Sequence, residues 1–167
     1  QPGDLLHVDF GITYVGLNTD TQQHAYILRE GEEDAPVGLR RGLATANRLQ
    51  DLLTGSFATG RTGNEILLLA RERAAAEAIE AAIYTHPLGN HGHGAGPTIG
   101  LWDRQDGVPG PGDYPLRPST VFSIELNAKV AVAEWGGAET LFMLEEDAWF
   151  DGERVRWLDG RQTELLL

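Results

Sequence analysis

The sequence predicts an α+β domain built on a mainly antiparallel sheet, and three observations carry that reading. Two pairs of β-rich runs, at residues 4–29 and 120–150, each read as a hairpin around a turn. Between them lie two stretches of helical periodicity, so the strands are segregated rather than alternating one for one with helices. The 167 residues contain no internal repeat and no second composition regime, which fits one domain with a core of its own.

The first hairpin joins "DLLHVDFGITYVG" to "LNTDTQQHAYIL" through a tight turn between Tyr14 and Leu17. Leu5, Leu6, Val8 and Phe10 give its first strand the look of a buried strand, interrupted by Asp9. The acidic run "REGEEDAP" then reads as a solvated linker. A helix is expected from Val37 to Leu53, stopping at Gly55. A second begins after "TGNE", where Thr62 and Glu65 have capping-box spacing, and runs through "ILLLARERAAAEAIEAAI" with Leu68, Ala75 and Ile79 on its core face. Residues 86–118 are dominated by glycine, proline and histidine, and a long irregular stretch of this kind in a compact domain is a candidate functional loop. "TVFSIELNAKVAVAEW" and "AETLFMLEEDAWF" form the second hairpin across "GGA", and "RVRWL" is a last short strand.

Composition narrows the function classes. The formal charge is −12, from 13 basic and 25 acidic residues, which argues against nucleic acid as a partner because phosphate tracking needs a basic stripe. It suits cations, metal ions and positively charged peptide ends. There is no cysteine, so disulfides, thiolate chemistry and cysteine-based zinc sites are excluded. The most apolar helical run carries charges, and no membrane-spanning stretch is expected. The opening "QPGDLL" has no methionine and feeds straight into a strand, so the chain reads as a fragment whose N-terminal portion was cut away or belongs to a separate polypeptide.

The acids inside the apolar runs are the anomaly. If the first hairpin folds about Tyr14 and Val15, Asp9 faces Asp20, and two carboxylates about 5 Å apart across a ladder repel one another. A cation between them, or a proton on one, removes the conflict. The second hairpin repeats the pattern: a turn centred near Trp135 sets Glu125 opposite Glu145. With imidazoles from "HPLGNHGH", the inventory is four carboxylates plus a histidine, an oxygen-rich set with one nitrogen that suits hard or borderline divalent ions such as Mn2+.

Residues "GDLLHVDFG" with "NTDT", "FSIEL" and "LEEDAWF" resemble the metal signature of the creatinase/methionine aminopeptidase superfamily, metallopeptidase family M24, which includes aminopeptidase P and prolidase. The resemblance spans almost the whole chain and implies a pita-bread fold holding two divalent metals, with Mn2+ favoured and Co2+ or Zn2+ as alternatives. It implies that Asp9 chelates one metal, that Asp20 and Glu145 bridge, and that His86 and Glu125 hold the other. Glu125 would also carry the proton from the attacking water to the leaving amine.

"GHGAG" at residues 92–96 resembles the family's GHGIG and would make His93 the ligand. The family also places a substrate-contacting histidine seven residues after the ligand, and position 100 is glycine. Counting from His86 keeps a glycine three residues on and puts His93 seven on, so the resemblance is read as His86 for metal and His93 for substrate, with His91 spare. Glu146 and Glu139 are rivals of Glu145, but Glu146 would point to the opposite strand face.

The activity implied is release of an N-terminal residue from peptides, with proline second. A prolidase-like dipeptidase and a non-catalytic peptide- or protein-binding relative are the alternatives. Two departures weaken the proline preference: Met143 stands where proline-specific members carry arginine, and Ala82 where they carry histidine. A homo-oligomer or a separate N-terminal fragment would be the macromolecular partner. His7 is expected to be a satisfied strand histidine, His24 a surface residue, and the four tryptophans core or loop anchors.

Overall fold

The computed structural model describes residues 1–167. Strand β1 (Leu5–Phe10) pairs with β4 (Thr21–Tyr26), and between them β2 (Thr13–Tyr14) and β3 (Leu17–Asn18) form a small ribbon. Helices α1 (Val37–Thr54) and α2 (Gly63–Ala76) follow, then β5 (Glu80–Ile83) and the two-residue β6 (His86–Pro87). Strands β7 (Thr120–Val132) and β8 (Ala138–Phe150) make the long hairpin, and β9 (Val155–Trp157) pairs with β8. The main sheet runs β1-β4-β8-β7-β5, antiparallel throughout, with β6 also on β7. No helix is long and apolar enough to cross a membrane.

Alternation along β7 and β8 divides the sheet into two faces. Phe122, Ile124, Leu126 and Ala128, with Phe142, Leu144, Ala148 and Phe150, are fully buried on one of them. Leu39, Leu43, Ala46, Leu49 and Leu53 of α1 recur at helical spacing and lie in the same core cluster. Gly42 makes that approach close: a Cβ there would lie 2.0 Å from Cε2 of Phe142. The start of α1 lacks a side-chain cap of its own, and Glu134 Oε1, from the turn between β7 and β8, accepts from Gly38 N at 2.9 Å. Thr62 and Glu65 form the expected capping box on α2.

Several expectations are corrected. The first hairpin turns on Val15 and Gly16, not Tyr14 and Val15; both have positive φ (51° and 79°), as a type I′ turn requires. Asp9 therefore pairs with Gln22 rather than Asp20. The shift moves the pairing by two residues, so Asp20 and Gln22 stay on one face. Strand β1 is also not buried: Leu6, Val8 and Phe10 are exposed, because it is the sheet edge and no other element of residues 1–167 covers it.

Helix α2 ends at Ala76 instead of continuing to Ile83. Ala78 turns left-handed (φ 55°), Ile79 N donates to Ala74 O, and residues 80–83 become a strand that pairs with β7 and buries Ile83. The core face of α2 is Ile66, Leu67, Ala70 and Ala74; Leu68 and Ala75 are exposed. His24 is buried, not superficial, with Nε2 accepting from Met143 N at 3.0 Å. The irregular loop after His86 holds a short 3-10 turn at Pro111–Asp113. Trp135 and Trp157 pack on the core, whereas Trp102 is 77% exposed.

Gly42→Ala should lower the thermal stability by about 1–3 kcal/mol despite alanine's better helix propensity, because Phe142 is fully buried and has nowhere to retreat. Val15→Asn should act in the opposite direction by relieving a left-handed β-branched residue, a gain of roughly 1 kcal/mol. Chemical denaturation of both variants against the parent checks the two signs.

Candidate metal centre

Register alone lines up four side chains. Asp9 pairs with Gln22, Gln22 with Glu145, and Glu145 with Glu125, so one row crosses β1, β4, β8 and β7 on the face opposite the helices. The next row holds His86, Ser123 and Asp147, again paired strand to strand. Asp20 sits just before β4, and its backbone N–H donates to Asp147 Oδ1 at 3.1 Å. Two alternating strands thus deliver glutamates, an aspartate and a serine to one patch, while Glu146 faces the core and is satisfied there by Gln50 and by Gln162 N.

The five sequence-predicted metal residues converge. Oxygens of Asp20 and Glu145 and a ring nitrogen of His86 lie within 4.8 Å of one another, as do oxygens of Asp9, Glu125 and Glu145. Glu145 is common to both groups, whereas Glu125, which the resemblance pairs with His86, is grouped with Asp9. His86 Nε2 lies 3.6 Å from Glu145 Oε1, 3.8 Å from Glu125 Oε2 and 3.9 Å from Asp20 Oδ2, too long for hydrogen bonds. His86 is buried, and this nitrogen has no hydrogen-bond partner. Its Nδ1 lies 3.2 Å from Pro87 O; donation there leaves the Nε2 lone pair aimed at the three carboxylates. A buried, unpartnered imidazole nitrogen facing a cluster of acids fits a divalent cation.

His93 stacks on His86, with ring centroids 4.0 Å apart and planes 9° from parallel, and is itself exposed. His91 is exposed as well. His7 meets the expectation of a satisfied strand histidine: its Nε2 lies 2.8 Å from Gln22 Oε1.

Crowding and desolvation show in the protonation equilibria. Burial first, and then the neighbouring Glu145, push Glu125 up to about 8 and Asp20 up to about 6, and Asp9 is raised for the same two reasons. Asp147 is pushed up to about 6, mainly by burial. Burial opposes a charge on His86, but Glu145, the Pro87 carbonyl and Glu125 together outweigh it and raise its pKa. His93 is lowered by partial burial and by His86.

Gln22, Ser123 and Asp147 belong to the site and are not among the residues expected from sequence. Ser123 Oγ donates to Glu145 Oε1 at 2.6 Å. Each stands two residues from an expected ligand (Asp20, Glu125 and Glu145), so the period of two along a strand is the signal that points to them.

These shifts set a pH dependence for the metal-free chain. Asp20 and Glu125 have folded pKa values raised from 3.8 and 4.5, so their stabilisation is complete below those values and is lost as pH rises through about 6 and about 8. His86, also raised, has the same sign. With a chelator, the melting temperature should fall between about pH 5 and about pH 8, and Glu125→Gln should flatten the upper part of that fall. Divalent metal should raise it most at the alkaline end, where its ligands are already deprotonated.

Comparison with known proteins agrees with this geometry. The chain superimposes on the X-Pro aminopeptidase of Thermotoga maritima MSB8 with a TM-score of 0.70 at 20% identity, covering 99% of this chain and 42% of that one. For the prolidase of Pyrococcus horikoshii OT3 the TM-score is 0.68 at 18% identity, covering 99% and 43%. For the methionine aminopeptidase of Rickettsia prowazekii it is 0.66 at 15%, covering 94% and 64%. The chain thus spans about two-fifths of the first two proteins and has the fold of part of a pita-bread domain. No curated protein matches the sequence. The model of metallopeptidase family M24 matches residues 1–146, which include Asp9, Asp20, His86, Glu125 and Glu145, and the chain belongs to that family.

Proposed function

We propose that residues 1–167 carry the metal centre of a dinuclear aminopeptidase that removes the N-terminal residue of peptides, with Xaa-Pro peptides as the favoured substrates. The observation that carries this reading is the unpartnered His86 Nε2 facing acids that fall into two groups sharing Glu145. In this reading Asp9, Asp20, His86, Glu125 and Glu145 hold two divalent ions, Mn2+ first among the candidates. The bound ions would supply Lewis-acid polarisation of the scissile carbonyl and a water activated near neutral pH.

The chain's own side chains supply the rest. The carboxylate of Glu125 would take the proton of the attacking water and give it to the leaving amine. The exposed His93, held flat on His86, can donate to the carbonyl oxygen as it gains charge. The acids around it suit the ammonium group of a free peptide N-terminus. The fragment reading stands beside this one: the activity is proposed for a catalytic domain of which these residues are the metal-binding part.

An aminopeptidase is favoured over a dipeptidase because the acids of the cluster pair with no arginine or lysine, and none is poised among them to capture a C-terminal carboxylate. The names of the structural neighbours, which include an X-Pro aminopeptidase and prolidases, favour proline in the second position. Met143 and Ala82 depart from the proline-specific pattern and argue for a broader tolerance there.

Metal analysis after Mn2+ loading and desalting should find about two ions per chain, and Asp20→Ala should lose at least one. An Xaa-Pro peptide assay should then show turnover that Glu125→Gln lowers about 10²–10⁴-fold, with the variant's metal content measured alongside because Glu125 is also a ligand in this reading. A folded protein that binds no metal would rule out the hydrolase reading. Metal bound without turnover on any peptide would leave the peptide-binding relative.

A further inference from the structure

Gln22 stands in the row of acids, between Asp9 on β1 and Glu145 on β8, and it is 2% exposed. Its Nε2 lies 2.8 Å from Glu125 Oε1, 2.8 Å from Glu145 Oε2 and 3.5 Å from Asp9 Oδ2. These are the three residues of one of the two candidate metal groups. An amide nitrogen has two hydrogens, enough for the two short contacts and not for the third. Resting on the metal-centre reading above, we infer that Gln22 is a positioning residue whose amide fills the Asp9–Glu125–Glu145 group, so that the two metal sites are unequal and the second ion enters only by displacing that amide.

The acids set the orientation of the amide. With its NH2 group donating to Glu125 and Glu145, Gln22 Oε1 lies 2.8 Å from His7 Nε2, which in this orientation donates to it. The opposite flip would turn the carbonyl oxygen toward the acids and lose those two bonds, while the NH2 group could still donate to His7 as the other tautomer. His7 thus supports the orientation from behind. An ion bound by Glu125 and Glu145 would need oxygens at roughly 2.0–2.2 Å, and an amide nitrogen in hydrogen-bond contact with both carboxylates crowds that position.

The other group is built differently. His86 Nε2 has no partner, and no side-chain amide is wedged between it and Asp20. The first ion therefore meets Asp20 and His86 clear of that amide, with Glu145 shared and its Oε1 steadied by Ser123. The second must break the two hydrogen bonds that Gln22 donates to Glu125 and Glu145, and it gains Asp9 from the exposed rim of the sheet.

Titrating Mn2+ into the metal-free protein by calorimetry, with electron paramagnetic resonance alongside, tests the inference. The expected result is two steps whose Kd values differ by at least about tenfold, with an isolated-ion spectrum after the first equivalent and a spin-coupled one only after the second. Gln22→Ala should tighten the second step about tenfold and leave the first within about twofold; His7→Ala, which frees the amide, should tighten it less. If loss of Gln22 unfolds the chain through bare acid repulsion, Gln22→Thr keeps a polar group at smaller volume and should move the second step the same way. Two equal steps in the parent protein, or a second step unchanged or weakened in the Gln22 variants, would overturn the inference and leave the dinuclear reading standing. Absence of any Mn2+ binding to the folded parent would remove both.

Discussion

Thirteen residues of β7 pair with thirteen of β8, and that ladder is the constraint on which the helical core and the candidate metal centre both depend. Because side chains alternate, the same pairing that sends Ile124 and Leu144 into the core sets Glu125 beside Glu145 on the other face. A slip of one residue in either strand would drive a carboxylate into the packing around α1 and bring a leucine or isoleucine to the metal face. The turn that closes this ladder also supplies Glu134 to the start of α1, so hairpin and helix are positioned together.

The second constraint is electrostatic and runs against the first. Packing the sheet brings Asp20, Glu125, Glu145 and Asp147 out of water and close to one another, a cost that neutral residues would not incur. The chain meets part of that cost with neutral donors: Ser123 and Gln22 to Glu145, and the Asp20 amide to Asp147. A further part is met, below about pH 8, by a proton on Glu125, whose pKa burial and Glu145 raise. Such unfavourable burial persists where it serves a site, and it would link the stability of the fold to any cation the acids bind.

Membership of family M24 accounts for the fold and leaves the selectivity of the candidate site open to this chain's own residues. The backbone N–H of Met143 is used by His24, and its side chain is a thioether where proline-specific members have a guanidinium. Any recognition of a peptide carboxylate must therefore come from elsewhere. The exposed apolar strip of Leu6, Val8 and Phe10 on β1 lies at the sheet edge, in a chain that spans about two-fifths of its X-Pro aminopeptidase neighbour.

Much of this was legible in the residues alone, and what was legible is local. The Thr62–Glu65 cap, the spacing of α1 and the arithmetic that pairs Glu125 with Glu145 all depend on neighbours along one segment or one turn. The acids inside apolar runs pointed to a site for the same reason, since burial of a strand implies burial of its charges. Other features were decided only by contacts between distant segments. Residues 80–83 have helical composition yet become a strand, because pairing with β7 buries Ile83. His24, polar in its sequence surroundings, is enclosed by β8 and Gln162. The turn at Val15 and Gly16 replaced Asp20 by Gln22 opposite Asp9, and the single bridge from Gln22 to Glu145 then joined the two hairpins into one row. Alternation and charge could be read in order along the chain, whereas that junction joins positions 123 residues apart and is set by the packing of the whole sheet.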